Sequence, residues 1–351
     1  MTVPIATLDC RLILAPPTAL RLLNDMPFAS TKRGICVFVA LLAMAANAAR
    51  GEYFDSTAIG SGLLPIDEMP SETRPWPSSA QPAELVVDLD GNSENWLGGE
   101  WDWQLLPSGL IYKSYLAGVK ESRLASQHIN VKGDGWLWDT TLGGRVGLLR
   151  YGDRDPIRPN GFQIDMEGSA QVRLDVPDDV NVRSVDFRGG LPITYGSGPS
   201  RFKFAIYHIS SHVGDEFLLS NPGFQRLNYS RDVLVLGYTL YLHRDLRIYA
   251  ELGWAFHSDV AEPWEFQFGV DYVPGTPTGI RGRPFFAVNG HLREEVDYGG
   301  NFVAQAGWAW LSDENARLLR IGAHYFNGHS SQFSFYRDHE QQLGLAVWYD
   351  F

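Results

Sequence analysis

Apolar and polar residues alternate strictly along residues 161–176, with the sequence GFQIDMEGSAQVRLDV. One parity carries Phe162, Ile164, Met166 and further small or apolar residues, and the other carries acidic, amide, hydroxyl and basic residues. Successive side chains of a β-strand point to opposite faces, so this period of two predicts a strand with one apolar and one polar face. Few soluble strands are this long, and the pattern suits a barrel with lipid outside and water inside.

Similar alternating runs recur along the chain, with turn residues between them. The predicted strands are 110–119, 141–151, 162–176, 182–191, 201–213, 231–243, 246–256, 265–273, 284–291, 300–311, 317–326 and 341–351. Closed single-chain bacterial barrels have an even number of strands. The sequence therefore predicts an all-β fold, namely a single antiparallel transmembrane β-barrel of about 12 strands.

The N-terminal region has the features of an export signal. The basic stretch at Lys32 and Arg33 precedes the apolar run ICVFVALLAMA, and small residues follow it. This order predicts a secretory signal peptide at 1–48, whose true start could be Met26. The proline-rich and acidic residues 49–108 predict an extended periplasmic arm or plug, and 109–351 form the predicted barrel.

Charge and cysteine content narrow the classes of function. The chain carries a net charge of −12, and the loss of residues 1–48, with four basic and two acidic residues, leaves −14. No basic patch is visible in the sequence, which argues against nucleic acid as a partner. Cys10 and Cys36 both lie in the segment predicted to be removed. The exported chain would therefore have no disulfide and no thiolate metal site.

The stretch FAIYHISSHVGDEF, residues 204–217, holds the candidate chemistry. His208 and Ser210 share the parity of Phe204 and Ile206, so the pattern places both on the lipid-facing side. Side chains at i and i+2 on one strand face are neighbours. An imidazole in that position can take the proton of a serine hydroxyl and make it a nucleophile.

Further groups could complete such a site. Asp232 and Asn228 share the apolar parity of the next strand, so either could orient His208. Asp215 and Glu216 begin the following loop and could bind a divalent cation such as Ca²⁺ through oxygen ligands. No other cofactor is indicated, and the oligomeric state stays open.

Two blander interpretations remain open. Polar side chains cost little at the membrane–water boundary, so His208 and Ser210 could simply mark the place where hydrocarbon ends. The protein would then be a structural barrel or a narrow channel. The interior parity of 161–176, with Asp165, Glu167 and Arg173, would either fill the barrel or line a pore, and filling is favoured for about twelve strands.

Three local patterns resemble known families. The final strand, LGLAVWYDF, ends on Phe351 and resembles the C-terminal signature of bacterial outer-membrane barrels. The order His208-x-Ser210 on an outward strand face resembles outer-membrane phospholipase A and the lipid A deacylases. That resemblance implies a general base at His208, a nucleophile at Ser210 and outer-membrane lipids as partners. LLPSGLIYKSYLAG and YHISSHVGDEF resemble an uncharacterised family of exported bacterial proteins, a domain of unknown function.

Overall fold

The computed structural model describes residues 99–351, which contain thirteen β-strands and one α-helix. The strands are β1 Asp102–Leu105, β2 Leu124–Val131, β3 Gly135–Gly152, β4 Gly161–Asp175, β5 Asn181–Ser197, β6 Ser200–Val213, β7 Tyr229–His243, β8 Leu246–Ser258, β9 Trp264–Tyr272, β10 Arg283–Arg293, β11 Gly299–Leu311, β12 Leu318–His329 and β13 His339–Asp350. The helices are α1 Asp215–Ser220 and the 3-10 helices Gly279–Arg281, Glu294–Val296 and Phe333–Phe335. The predicted signal peptide with its possible start at Met26, and residues 49–98 of the predicted arm, lie outside the described residues.

Strands β2 to β13 form a closed antiparallel barrel. Each strand pairs with the next along the chain, and β13 returns to pair with β2, with Leu345 opposite His128. Strand β1 pairs with the end of β3, where Trp103 lies opposite Tyr151. The predicted all-β fold with twelve wall strands is confirmed. No helix within residues 99–351 is both long enough and apolar enough to cross a bilayer.

The wall has an apolar outer face and a charged inner face. On β4, Phe162, Ile164 and Met166 are 53%, 41% and 50% exposed, whereas Gln163 and Asp165 between them are buried. A barrel in water would gain nothing from exposed phenylalanine and isoleucine, whereas lipid contact stabilises them. The alternation in the sequence therefore corresponds to an outside and an inside.

Residues 107–123, called the lumen segment below, lie inside the barrel. Tyr112 and Tyr115 are fully buried there, and their hydroxyls lie 2.6 Å apart. The prediction of a strand at 110–119 is wrong, because this stretch pairs with no strand. Strand β2, Leu124–Val131, which the sequence did not predict, takes that place in the wall.

Arginine side chains replace strand partners for the lumen segment. Arg123 donates to the carbonyl of Leu116 at 2.7 Å, and Arg320 donates to the same carbonyl at 3.2 Å. Arg247 donates to the carbonyl of Lys113 at 3.0 Å. A buried backbone carbonyl needs a donor, and here the donors are Arg123 of the segment itself and Arg247 and Arg320 of the wall, so no strand ladder is needed.

Ion pairs fill much of the remaining lumen. Arg173 binds Asp139 at 2.8 Å and Glu340 at 2.7 Å, and Arg145 binds Asp165 at 2.5 Å. All five side chains are largely buried. Their pairing offsets the cost of removing charge from water. The inner parity of the wall thus forms a polar network that packs around the lumen segment.

The two ends of the barrel differ in their connections. We call the end that holds the C-terminus the C-terminal rim and the other end the loop rim. The C-terminal rim has the connections 153–160, 198–199, 244–245, 273–282 and 312–317. The loop rim has 132–134, 176–180, 214–228, 259–263, 294–298 and 330–338. Strand β6 runs from the C-terminal rim to the loop rim, so His208 and Ser210 lie toward the latter.

Candidate functional site

His208 projects outward from β6 and meets a carboxylate on the neighbouring strand. It lies directly opposite Asp232 of β7, and its Nδ1 lies 2.8 Å from the Asp232 Oδ1. The side chains of His208 and Asp232 are 52% and 32% exposed. The carboxylate can therefore hold the imidazole with its Nε2 directed away from the strand pair.

Ser210 lies on the same outward face, two residues nearer the loop rim. Its partner across the β6–β7 ladder is Ser230, and its partner on β5 is Phe187. Within residues 99–351, no hydrogen bond joins Ser210 to His208. Contact between the hydroxyl and the imidazole requires side-chain rotation, which is common for catalytic hydrogen bonds before substrate binds.

A β-bulge lies beside Asp232. Val233 pairs with Ala255 while Asp232 pairs with His257, so Phe256 has no partner in the ladder. The extra residue breaks the alternation, and both Phe256 and His257 are exposed. Bulges are frequent next to active sites, where they redirect side chains. Here the bulge brings a second histidine to the outward side of Asp232, a feature that the sequence analysis missed.

The other candidates from the sequence lie apart from His208. Asn228 precedes β7 and donates to the Oδ2 of Asp259 at 2.7 Å. Asp215 and Glu216 occupy the first turn of α1, where both are exposed. No group of three or more metal-binding side chains is present among the described residues. The structure thus brings Asp232, rather than Asn228, to the imidazole.

The position of the pair along β6 can be compared with the thickness of a membrane. Phe202, Phe204 and Ile206 precede His208 on the outward face and are exposed. A barrel strand needs about 9–11 residues to cross the apolar part of a bilayer. For a band that begins at Phe202, His208 lies inside it and Ser210 lies close to its outer limit.

A row of glycines approaches the pair along the outer wall. Gly144, Gly168 and Gly189 are successive cross-strand partners on β3, β4 and β5, and Gly189 lies opposite His208. A Cβ at Gly189 would meet no atom within 4 Å, so the wall is open beside the imidazole. The three glycines span two strand spacings, so this glycine notch is about 10 Å long. Sequence analysis did not identify it, although Gly168 lies on the apolar parity of its strand.

A closed barrel of twelve strands with an apolar exterior and a filled, charged interior is a β-barrel of the outer-membrane type. The chain belongs to the family described as "Protein of unknown function (DUF1207)", which it matches over residues 71–351. The predicted membership of a family of unknown function is thereby confirmed. No curated protein matches the sequence.

Two solved structures of similar fold are outer membrane phospholipases. The outer membrane phospholipase A of Escherichia coli is 9% identical, with a TM-score of 0.43, and the match covers 65% of this chain and 89% of that one. The outer membrane phospholipase of Salmonella typhi, as a dimer with bound calcium, is 10% identical, with a TM-score of 0.44. That match covers 68% of this chain and 92% of that one.

Proposed function

We propose that this protein is an outer-membrane hydrolase that cleaves acyl esters of lipids, with Ser210 as nucleophile, His208 as general base and Asp232 as the group that orients the base. The single observation that carries the proposal is the 2.8 Å contact of His208 with Asp232 on the outward wall. Ion pairs inside the barrel are explained by the packing of its interior. This pair instead lies on the outer face, where the strands expose phenylalanine and isoleucine.

The reaction follows from the order of the three groups. The Ser210 hydroxyl transfers its proton to Nε2 of His208 as its oxygen attacks the ester carbonyl carbon. The imidazolium is stabilised by Asp232 and returns the proton to the departing alcohol, which leaves an acyl-serine. Water then gives its proton to His208, attacks the acyl carbon and releases the fatty acid, while Ser210 recovers its proton.

The glycine notch gives the substrate access to these groups. The row at Gly189 is bordered by Leu191 and Ile206 on one side and by Phe187 on the other. These apolar side chains suit an acyl chain, and the absence of a Cβ at Gly189 leaves space beside His208. A lipid can therefore approach from within the leaflet without entering the barrel.

The proposed location is the bacterial outer membrane, with the C-terminal rim in the periplasm. A diagonal row of aromatic residues supports a lipid-facing wall: Trp103, Tyr151, Phe162, Tyr195, Phe202 and Tyr238 are successive cross-strand partners. Aromatic side chains are enriched where barrel walls meet the membrane surface. His208 and Ser210 then lie in the outer leaflet.

Conduction of solutes is the less favoured function. The lumen segment, residues 107–123, is bonded to the wall at Arg247 and Arg320, and its tyrosines are fully buried. A packed lumen has a high barrier to ion flow. We expect a flat baseline in planar-bilayer recordings, and stepwise conductance would favour the channel instead.

The test is fatty-acid release from phospholipid by refolded protein, measured with and without Ca²⁺. We expect wild-type protein to release fatty acid and Ser210→Ala to release none above background. Ser230→Ala, the cross-strand neighbour of Ser210, is the matched control and should retain activity. No release from wild type, or equal release from Ser210→Ala, would remove the hydrolase proposal.

A further inference from the structure

The connection 273–282 at the C-terminal rim is fastened to the outside of the wall. Thr278 donates its backbone N–H to the carbonyl of Leu311 at 3.2 Å, and its hydroxyl accepts from the Leu311 N–H at 3.1 Å. The indole N–H groups of Trp308 and Trp310 donate to the carbonyls of Arg281 and Ile280 at 2.7 and 3.0 Å. Two tryptophans of the outer wall thus hold this loop against the lipid-facing surface.

Close approach of the loop depends on one glycine. Gly282 has a φ of +62°, and a Cβ there would lie 2.7 Å from ring atoms of both Trp308 and Trp310. A larger residue would therefore clash with the indole rings, and its backbone would be strained by the positive φ. Gly282 and the two tryptophans therefore determine the position of this loop.

A groove of about 360 Å³ lies between this loop and the connection 312–317. Its apolar lining comes from Trp310, Leu319 and Tyr349, which are cross-strand partners on β11, β12 and β13. These outward residues continue the lipid-facing wall to its edge. The groove therefore lies where the wall meets the C-terminal rim.

The polar side of the groove carries one charge of each sign. Arg317 and Asp313 both line it, and both are exposed. Arg317 lies 5.7 Å from the ring centroid of Phe351, and none of the carboxylates in residues 99–351 forms an ion pair with it. Beside the groove Ile280 is 95% exposed. An apolar residue so exposed is stabilised if it enters lipid.

We propose that this groove binds the headgroup of a glycerophospholipid of the phosphatidylethanolamine type, from the leaflet at the C-terminal rim. Arg317 binds the phosphate, and Asp313 accepts hydrogen bonds from the ammonium. The glycerol and upper acyl carbons lie along Trp310, Leu319 and Tyr349. Complementarity selects this lipid, because a purely anionic headgroup would use the arginine but would face the carboxylate without a partner for it.

The proposal rests on the membrane location proposed above but not on ester hydrolysis. Binding is measured by native mass spectrometry of the protein released from detergent with equal amounts of three lipids. These are phosphatidylethanolamine, phosphatidylglycerol and diacylglycerol, which lacks phosphate. We expect the highest bound fraction for phosphatidylethanolamine and the lowest for diacylglycerol.

Substitutions of Arg317 and Asp313 test which part of the headgroup each residue binds. Arg317→Gln should weaken both phospholipids by about tenfold, the loss expected for one charge-assisted hydrogen bond. Asp313→Asn should abolish the preference for phosphatidylethanolamine over phosphatidylglycerol. The matched control is Arg226→Gln, an exposed arginine in the loop-rim connection 214–228, which should change nothing.

Several outcomes would overturn the proposal. Equal binding of diacylglycerol, or an Arg317→Gln variant that binds like Arg226→Gln, would exclude a phosphate contact at the groove. A preference for phosphatidylglycerol in wild type would exclude the paired headgroup. Ser210→Ala should bind like wild type, so lack of hydrolysis leaves this test intact. Circular dichroism of each variant establishes that the barrel has formed.

Discussion

Replacement of Asp232 by Asn is the most informative change at the outward pair. Asparagine keeps the size of the side chain and an oxygen that can accept from Nδ1 of His208, but it removes the charge. Serine attack creates an imidazolium, so the carboxylate stabilises the transition state more than the ground state. We therefore expect Asp232→Asn to lower kcat while the barrel remains folded.

The size of the effect follows from the contact. Two unit charges about 4 Å apart attract by about 1 kcal/mol in water and by about 4 kcal/mol at the effective dielectric near a protein surface. Each 1.36 kcal/mol corresponds to tenfold in rate, so the expected loss lies between roughly 5-fold and 1,000-fold. The side chains of His208 and Asp232 are 52% and 32% exposed, and screening by water at such exposure lowers the expected loss of rate. Surrounding lipid has a low dielectric constant and raises the expected loss. We expect a loss of about 100-fold.

The assay is the initial rate of fatty-acid release from vesicles at saturating lipid. Asp259→Asn is the matched control, since it removes a carboxylate from the same rim that binds Asn228 rather than His208. That control should stay within about twofold of wild type. If Asp232→Asn is as active as the control while Ser210→Ala is inactive, the carboxylate does not orient the base and the proposed roles are wrong.

Three further changes test the wall, the notch and the loop rim. Arg173→Met should lower the free energy of unfolding in urea by about 3–5 kcal/mol, because two buried carboxylates lose their partner. The control Arg154→Gln changes an exposed arginine and should cost less than about 1 kcal/mol. Similar losses for the two variants would contradict the buried network. Gly189→Leu fills open space beside the imidazole, so fatty-acid release should fall with unchanged unfolding, and full activity would show that substrate does not use the notch. Burial and nearby carboxylates raise the pKa of Asp338 above its ordinary 3.8. The folded state therefore binds the proton more tightly than the unfolded state does, and the loop 330–338 loses stability as pH rises through that raised pKa. Asp338→Asn should therefore slow proteolysis of this loop near neutral pH and have no effect below the ordinary pKa, and protection that is equal at both pH values would refute the assignment.

The strands with two distinct faces could be predicted from the sequence. Strand β6 was predicted at 201–213 and spans Ser200–Val213, because the large apolar residues Phe202, Phe204 and Ile206 share one parity at its start. Strand β2 was missed because its faces are reversed relative to the other strands: Ser126, His128 and Asn130 lie on the outward face, whereas the apolar Ala125, Ile129 and Val131 are buried toward the lumen. Residues 110–119 are mostly apolar, as a wall strand can be, yet they lie in the lumen, where apolar side chains are as well buried as in a wall.

Sequence alone determined which residues face outward in the strands with one apolar parity, such as β4 and the first half of β6, since a period of two assigns successive side chains to opposite faces. The same period places His208 and Ser210 on the outward face of β6. The choice of Asp232 over Asn228 was decided by tertiary structure, because the partner across the ladder depends on strand register. The register of β6 on β7 is fixed across the long connection 214–228, and no local pattern in the sequence encodes it. The filled lumen was likewise decided by the fold, because the residues that bond to the lumen segment are distant in sequence and meet only when the sheet closes.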